Sequence, residues 1–330
     1  MSDLTDHPSA TVPDLVVAIA TFKRPDRLTK TLALVGEQLT ELADDGRVGR
    51  AEILVVDNDP ARSAREVVTP EHGGAVTRYV AEAKPGIPNV RNRSLDESPD
   101  FRLLVFIDDD EVPLSGWVRS LVDTWERFDQ PTAVMGRVVS IFAEDVDPWV
   151  LECGLFQRPQ RATGTELEAA ATGNLLLDLD QVRRLGVRFD ERIGLGGGSD
   201  TMFSKGLKRR GARLVWCNES VAEDTVEIER QTRAWALQRA YSHGNVAVLV
   251  KVRLEETRAG RVQQRLLGAL GGAARVCVGA ARAALGYVTR SVRHEARGRR
   301  LMHRGAGMIH AALTARSYAA YSRPAPATAT

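Results

Sequence analysis

Residues 103–111 read Leu-Leu-Val-Phe-Ile-Asp-Asp-Asp-Glu. Five apolar residues in a row without a charge are the pattern of a strand buried on both faces, and the acidic run falls where that strand must end. Upstream the arrangement repeats. Residues 15–20 (LVVAIA) lead into Thr21, Phe22 and Arg24, and residues 53–56 (ILVV) lead into Asp57. Between them Pro25-Asp26 opens a helical pattern through Leu28, Leu32, Leu34 and Val35. Val76–Val80 reads as a weaker strand, and Pro85-Gly86 turns into a helix around residues 90–95. Apolar strands alternating with helices predict a mostly parallel sheet covered on both sides. In such a sheet ligands bind beyond the carboxyl ends of the strands, where these polar residues gather.

Further along, residues 133–142 read as a strand, residues 147–172 as a loop-rich stretch, and Leu175–Leu177 as another apolar run. Gly194-Leu195-Gly196-Gly197-Gly198-Ser199-Asp200 precedes a helix over 201–210, with Gly211 at its end. A strand over 213–217 is followed by Val221-Ala222-Glu223-Asp224, and from about Arg230 onward the pattern is helical. No internal repeat is evident.

At 330 residues, 43% hydrophobic and 27% charged, the chain has the composition of a folded α/β protein rather than a disordered or fibrous one. Three cysteines far apart (Cys153, Cys217, Cys277) form no disulfide framework or zinc knuckle and suit a reducing cytoplasm. The N-terminal residues lack the pattern of a signal peptide, and no window of about 18 uncharged apolar residues predicts a transmembrane helix. The net charge of +2 conceals an asymmetry. Residues 251–330 carry fifteen Lys and Arg against three Glu, a net of +12, whereas residues 1–250 carry −10.

The chemistry is concentrated in acids. Asp108, Asp109 and Asp110 repel one another and favour a cation. With oxygen donors only, Mg²⁺ or Mn²⁺ suits them better than Zn²⁺, its shell completed by water and a substrate phosphate. Asp57 either caps the next helix or accepts hydrogen bonds from a base or ribose. Arg24 and Arg91 read as solvated charges or as phosphate and base contacts. The glycine loop lacks the lysine of a Walker motif. Asp200 beyond it reads as a helix N-cap or as a general base presented by the loop.

Taken in order, these segments resemble the inverting glycosyltransferases of family 2, with the GT-A nucleotide-sugar-binding fold. The resemblance rests on VVAIATFKRPDRL, ILVVDND, PGIPNVRNRSL, FIDDDEVP, GLGGGSDTMF and RAWALQRAYSHGN, and covers roughly residues 14–247. The last segment is similar to transferases that extend exopolysaccharide repeats. The resemblance implies a flexible arm at 1–12 and a catalytic domain at 13–250. That domain would divide into a nucleotide-sugar half (13–130) and an acceptor half (131–250), followed by a basic helical extension (251–323) and a flexible tail (324–330). Ala20, Thr21, Phe22, Arg24 and Asp57 would line the nucleobase pocket, and Arg91 would approach the nucleotide. Asp108 and Asp109 would hold the ribose, Asp108 and Asp110 the Mn²⁺ or Mg²⁺, and Asp200 would be the general base. Ser199 stands where the family often has Glu. No His stands on the late strand where relatives supply a metal ligand, and Glu223 is the substitute there. The implied reaction is single displacement from a nucleoside-diphosphate sugar, UDP-linked, onto a glycan or lipid-linked acceptor.

Two other classes compete. A sugar nucleotidyltransferase would carry a Gly-rich basic loop after the first strand, and TFKRPDRL contains no Gly. A non-catalytic nucleotide-sugar binder would tolerate loss of Asp200. The basic C-terminal part lacks the aromatics of a nucleic-acid binder, so no nucleic acid is expected. Treated as one helix at about 100° per residue, residues 261–297 place seven arginines in one arc of about 100°, opposite Leu266, Leu270, Cys277, Leu285 and Val288. The five glycines Gly268, Gly271, Gly272, Gly279 and Gly286 weaken or split that helix. The arginine face suits either packing on the catalytic domain or an anionic cytoplasmic leaflet, which implies a protein peripheral on the inner face of the cell membrane. On the membrane reading, the full chain sediments with anionic vesicles at low salt, whereas a chain truncated after Arg253 stays soluble.

Overall fold

The apolar runs become the centre of the sheet. In a computed structural model, residues 12–142, 145–158, 160–194, 196–316 and 318 are described. The expected arm, apart from Val12, and the expected tail at 324–330 lie outside them, as does Leu195 of the glycine loop. The elements are β1 (Leu15–Thr21), α1 (Pro25–Asp44), β2 (Ala51–Asp57), β3 (Glu71–His72), β4 (Ala75–Ala81), α2 (Ile87–Asp96), β5 (Leu103–Asp108), β6 (Glu111–Pro113) and α3 (Trp117–Arg127). There follow β7 (Ala133–Ile141), α4 (Pro148–Glu152), β8 (Asn174–Asp178), α5 (Leu179–Leu185), α6 (Ser199–Arg209), β9 (Leu214–Thr225), α7 (Arg233–Leu254), α8 (Arg258–Thr289) and α9 (Val292–Thr314).

The strands form one sheet in the order β3-β4-β2-β1-β5-β8-β7-β9-β6. From β4 to β5 it is parallel, as the apolar runs require. Beyond β5 it is mixed, because β8 runs antiparallel to both β5 and β7. The segments on either side of residue 130 therefore share a single sheet. Alternation along β1 separates two cores. Leu15, Val17 and Ile19 face α1 and α3, where Leu28, Leu32, Trp117 and Leu121 are buried. Val16 and Ala18 face the layer of Val90, Phe203 and Leu207 from α2 and α6. Helix α1 keeps Leu28, Leu32, Val35, Leu39 and Leu42 on its buried stripe and starts with Pro25 in its first turn.

The C-terminal part departs from the single helix considered above. Arg290 adopts a left-handed conformation (φ 54°), and the Ser291 side chain accepts the His294 N–H to start α9. Residues 261–297 thus divide between two antiparallel helices, and their arginines do not share one face. Nor do the glycines split α8, which runs unbroken for 32 residues. Gly268, Gly272, Gly279 and Gly286 form its buried face. A Cβ at Gly279 would stand 2.8 Å from the Gly298 carbonyl oxygen of α9, and one at Gly272 equally close to that of Gly305. Helix α8 is also long and apolar enough, by length and composition, to meet the measure of a membrane-crossing helix.

Helix α7 is clamped by this hairpin. Ala236, Ala240, Val248 and Val252 are buried. A side chain at Gly244 would collide with the Arg304 carbonyl, so the glycine of the SHGN segment admits α9. The Asn245 Nδ2 donates to the Arg316 carbonyl (3.1 Å) and its Oδ1 accepts the Tyr318 N–H (3.1 Å).

Candidate active site

Strand register assembles the site. Thr21 pairs with Asp57 and Ala20 with Asp108, so β2, β1 and β5 end at one level. The turn after β5 alternates its carboxylates. Asp108 and Asp110 are partly exposed, whereas Asp109 and Glu111 are buried. The Thr21 hydroxyl donates to Asp109 Oδ2 (2.7 Å). The Thr31 hydroxyl donates to the carbonyls of Asp109 (3.2 Å) and Glu111 (3.0 Å), tying the turn to α1. The Glu111 carboxylate accepts the Asp108 N–H (3.2 Å). Lys23, left-handed at φ 57°, precedes Arg24, whose Nη1 donates to Asp110 Oδ2 (2.6 Å). Its other arm lies 3.3 Å from Glu227, and Arg27 is 3.6 Å from Asp110. Arg24 therefore pairs with the acidic turn directly, a partner its expected place beside the nucleobase did not include.

These arginines do not compensate the cluster. Burial pushes the Asp108 carboxyl up. Arg91 opposes this, and Asp110, Asp224 and Asp200 add to it. Burial pushes Asp109 up to about 7 despite the Thr21 hydrogen bond. Burial, with Asp108 next, holds Glu111 well above the usual carboxylate range. Carboxylates that resist ionisation because they are buried, and then because they stand beside one another, are a donor set short of positive charge, and hard oxygen ligands fit Mg²⁺ or Mn²⁺. Among the described residues no three carboxylate, imidazole or thiol groups form a ready cage. The fit is accordingly to a cation that takes the rest of its shell from a bound phosphate and water.

On β9 the structure brings Asp224, not Glu223, to this turn. Glu111 pairs with Asp224 and Val112 with Glu223. Paired residues share a face and successive residues alternate, so Asp224 lies on the side of Glu111 and Glu223 on the other. Burial raises the Asp224 carboxyl, Arg158 lowers it, and Asp110 raises it again. Arg158 Nη2 is 3.1 Å from Asp224 Oδ2.

Across the strand ends stands α6. Its N-cap is Gly198, left-handed at φ 95°, and no side chain caps it. A Cβ at Gly198 would collide with Val246 of α7, so the glycine lets α7 brace the loop. Asp200 therefore sits inside the first turn and is not the cap. Its Oδ1 accepts the Thr201 N–H (2.7 Å), and its charge reaches Asp108. Ser199 receives a hydrogen bond from Arg91 Nη1 (2.9 Å), and the Arg91 guanidinium lies 5.6 Å from the centre of the Phe189 ring. Thus α2 and α6 are joined over Asp108 by a contact that no local pattern signals. Helix α2 also anchors the incoming chain, since Asn92 donates to the Phe189 carbonyl (3.0 Å) and accepts its N–H (3.0 Å). A Cβ at Gly86 (φ 129°) would stand 3.2 Å from the Gly194 carbonyl, so the glycine loop crosses directly over the start of α2.

Asp57 is fully buried. Its Oδ1 accepts the Asp59 N–H (2.8 Å), and its Oδ2 accepts the Ala64 N–H (3.1 Å) and the Tyr79 hydroxyl (3.0 Å). It shapes the 58–64 loop beside Thr21. Asn58 in turn donates to the Glu82 and Lys84 carbonyls (2.8 and 2.7 Å) and accepts the Gly86 N–H (3.0 Å), fixing the approach to α2. Ala20 and Phe22 flank Thr21 and remain partly exposed at the same level.

The comparisons bear on the fold that carries this site. The model of the family described as Glycosyl transferase family 2 matches residues 16–180. The succinoglycan biosynthesis protein ExoM of Rhizobium meliloti (strain 1021) is 31% identical over 234 residues, covering 69% of this chain and 72% of that protein. Among solved structures, the mannosyltransferase PcManGT of Pyrobaculum calidifontis in complex with GDP-Man and Mn²⁺ superimposes with a TM-score of 0.54. It is 17% identical, and the match covers 91% of this chain and 89% of that one. S. aureus TarS 1–349 in complex with UDP-GlcNAc gives a TM-score of 0.51 at 12% identity, covering 88% and 90%. At these identities the structural likeness is one of fold.

Proposed function

The chain belongs to glycosyltransferase family 2 and has the GT-A fold, and from that premise we propose a divalent-cation-dependent inverting transfer. The sugar moves from a nucleoside-diphosphate sugar, UDP-linked in the first instance, to a hydroxyl of a growing polysaccharide. The observation that carries this is the convergence of Asp108 and Asp110 at the end of β5 with Asp200, Arg91 and Ser199 opposite them. The relative at 31% identity is named for succinoglycan biosynthesis, and the two solved structures carry nucleotide sugars, one of them with Mn²⁺.

Asp108 and Asp110 would hold the cation, with Asp224 as a further carboxylate beside them. When bound, it would supply positive charge against the departing diphosphate. Ala20, Thr21 and Phe22 form the floor under the nucleoside, with Asp57 setting the wall through the 58–64 loop, and Asp109 keeps Thr21 in place. Arg91, held by Ser199, faces the diphosphate. Asp200 takes the acceptor hydroxyl proton as that oxygen forms its bond to the anomeric carbon. The bond from that carbon to the diphosphate oxygen breaks, and its electron pair leaves on the nucleoside diphosphate. One displacement inverts the anomeric centre and leaves no covalent enzyme intermediate. The acceptor enters from the side of Arg158, Arg239 and His243, where α7 and residues 147–172 meet.

Calorimetric titration of a nucleotide panel with and without Mn²⁺ tests this reading. Wild type is expected to bind one nucleoside diphosphate at least tenfold more tightly with the cation, and Asp110→Ala to lose that gain while keeping its circular dichroism. Transfer unchanged in EDTA would remove the cation from the reaction.

A further inference from the structure

Half of the sixteen exposed large apolar side chains among the described residues lie on α8. Leu266 is 61% exposed, Leu270 69% and Val288 79%. At about 100° per residue the buried glycines fall within an arc of about 40°, and these residues centre about 180° away. Among the described residues nothing else covers them. Between Gln264 and Thr289 the charged residues are Arg265, Arg275 and Arg282, all turned toward α9 or to the borders of the apolar arc and none fully exposed. Exposed arginines close both ends, Arg258 and Arg261 at one and Arg290 and Arg293 at the other. No carboxylate occurs from residue 257 to residue 294.

An apolar arc framed by cations, of which Arg293 alone meets an acid (Glu152, 3.8 Å), is complementary to one kind of surface. We propose that α8 lies along an anionic lipid monolayer, with Leu266, Leu270 and Leu285 at the acyl boundary and the flanking arginines among the headgroups. The apolar arc and not an arginine face is what meets the lipid. Length and composition alone would also permit α8 to cross a bilayer, but its partner forbids it. Helix α9 touches α8 backbone to backbone at Gly272, Gly279 and Gly286, and it carries Arg297, Arg299, Arg300 and Arg304. Drawing those arginines into hydrocarbon is strongly unfavourable, so the hairpin lies flat. A second copy is a poor occupant. A twofold contact through this arc sets the terminal arginines of one α8 against those of the other, with no acid to separate them.

Flotation of the full chain with vesicles tests the assignment. Binding to vesicles of phosphatidylcholine with phosphatidylglycerol is expected to exceed binding to phosphatidylcholine alone by roughly tenfold at low salt, and to weaken as salt rises. The triple variant Leu266→Ser, Leu270→Ser, Leu285→Ser is expected to lose roughly tenfold or more of the partition, with unchanged circular dichroism and melting. Arg258→Gln with Arg293→Gln is expected to reduce the preference for the anionic vesicles. Equal flotation of wild type and the triple variant overturns the proposal, as does wild type that floats with neither vesicle. A wild-type dimer in sedimentation velocity that the triple variant converts to monomer assigns the arc to a second copy instead.

Discussion

Asp200 shows how a residue's role depends on one position of helix register. An Asp beside a helix start is most often a cap, and here Gly198 occupies that position, leaving Asp200 in the first turn with its charge reaching Asp108. Asp200→Asn keeps an acceptor for the Thr201 N–H but cannot take a proton. Turnover is expected to fall about 10²-fold or more while donor affinity and melting temperature stay close to wild type. Loss of stability with unchanged turnover would make Asp200 structural. The polar residues at the ends of β1, β2 and β5 were legible in the sequence because uninterrupted apolar runs fix where parallel strands stop. What was not legible depends on pairing between distant segments. Arg91 and Ser199 are 108 residues apart. The choice of Asp224 over Glu223 follows from the register of β6 on β9, which a strand's own residues do not encode.

At the scale of elements, helix propensity and packing pull the glycines of α8 in opposite directions. Judged alone, each glycine weakens a helix by about 1 kcal/mol relative to alanine, which is why the sequence predicts a weakened or split helix. In the hairpin they are the surface through which two backbones meet, and their spacing carried the signal: Gly272, Gly279 and Gly286 recur every seven residues, as do Gly298 and Gly305. Two neighbours separate the effects. A Cβ at Gly271 meets only the mobile ends of Arg275 and Met308, at 3.3 and 3.4 Å. Gly271→Ala is therefore expected to stabilise by about 0.5–1 kcal/mol. A Cβ at Gly279 meets backbone atoms of Gly298 and Met302 at 2.8 Å. Gly279→Ala is expected to destabilise by about 1–3 kcal/mol as the helices are forced apart. Urea midpoints of the two variants moving the same way would refute the packing account.

Over the whole molecule the opposed charges of the two parts are joined by contacts as well as by attraction. Arg297 donates to the Glu152 carbonyl (3.1 Å), Arg300 to the Gly154 carbonyl (2.5 Å), and the Trp149 indole to Glu295. Beneath them Trp149, Val150, Cys153, Ala236 and Ala296 form a small core shared by α4, α7 and α9. A basic tail loosely attached to a complete enzyme would show none of this. The expectation that a chain ending after Arg253 stays in solution away from vesicles has to be read beside this packing: removing α8 and α9 uncovers Ala236, Val248 and Val252 and leaves the Trp149 indole without its acceptor. The effect reaches the site through Val246, which braces Gly198 at the start of α6 and so sets the height of Asp200 above the strand ends. The truncated chain is expected to melt at a lower temperature or to aggregate, and its soluble fraction to lose turnover more than nucleotide binding. On the proposed reading the nucleotide contacts come from β1, β2 and β5, which the truncation does not touch, whereas Asp200 depends on α7 being held. Equal melting and equal turnover for the two chains would show that the catalytic part stands alone and that α9 only covers it.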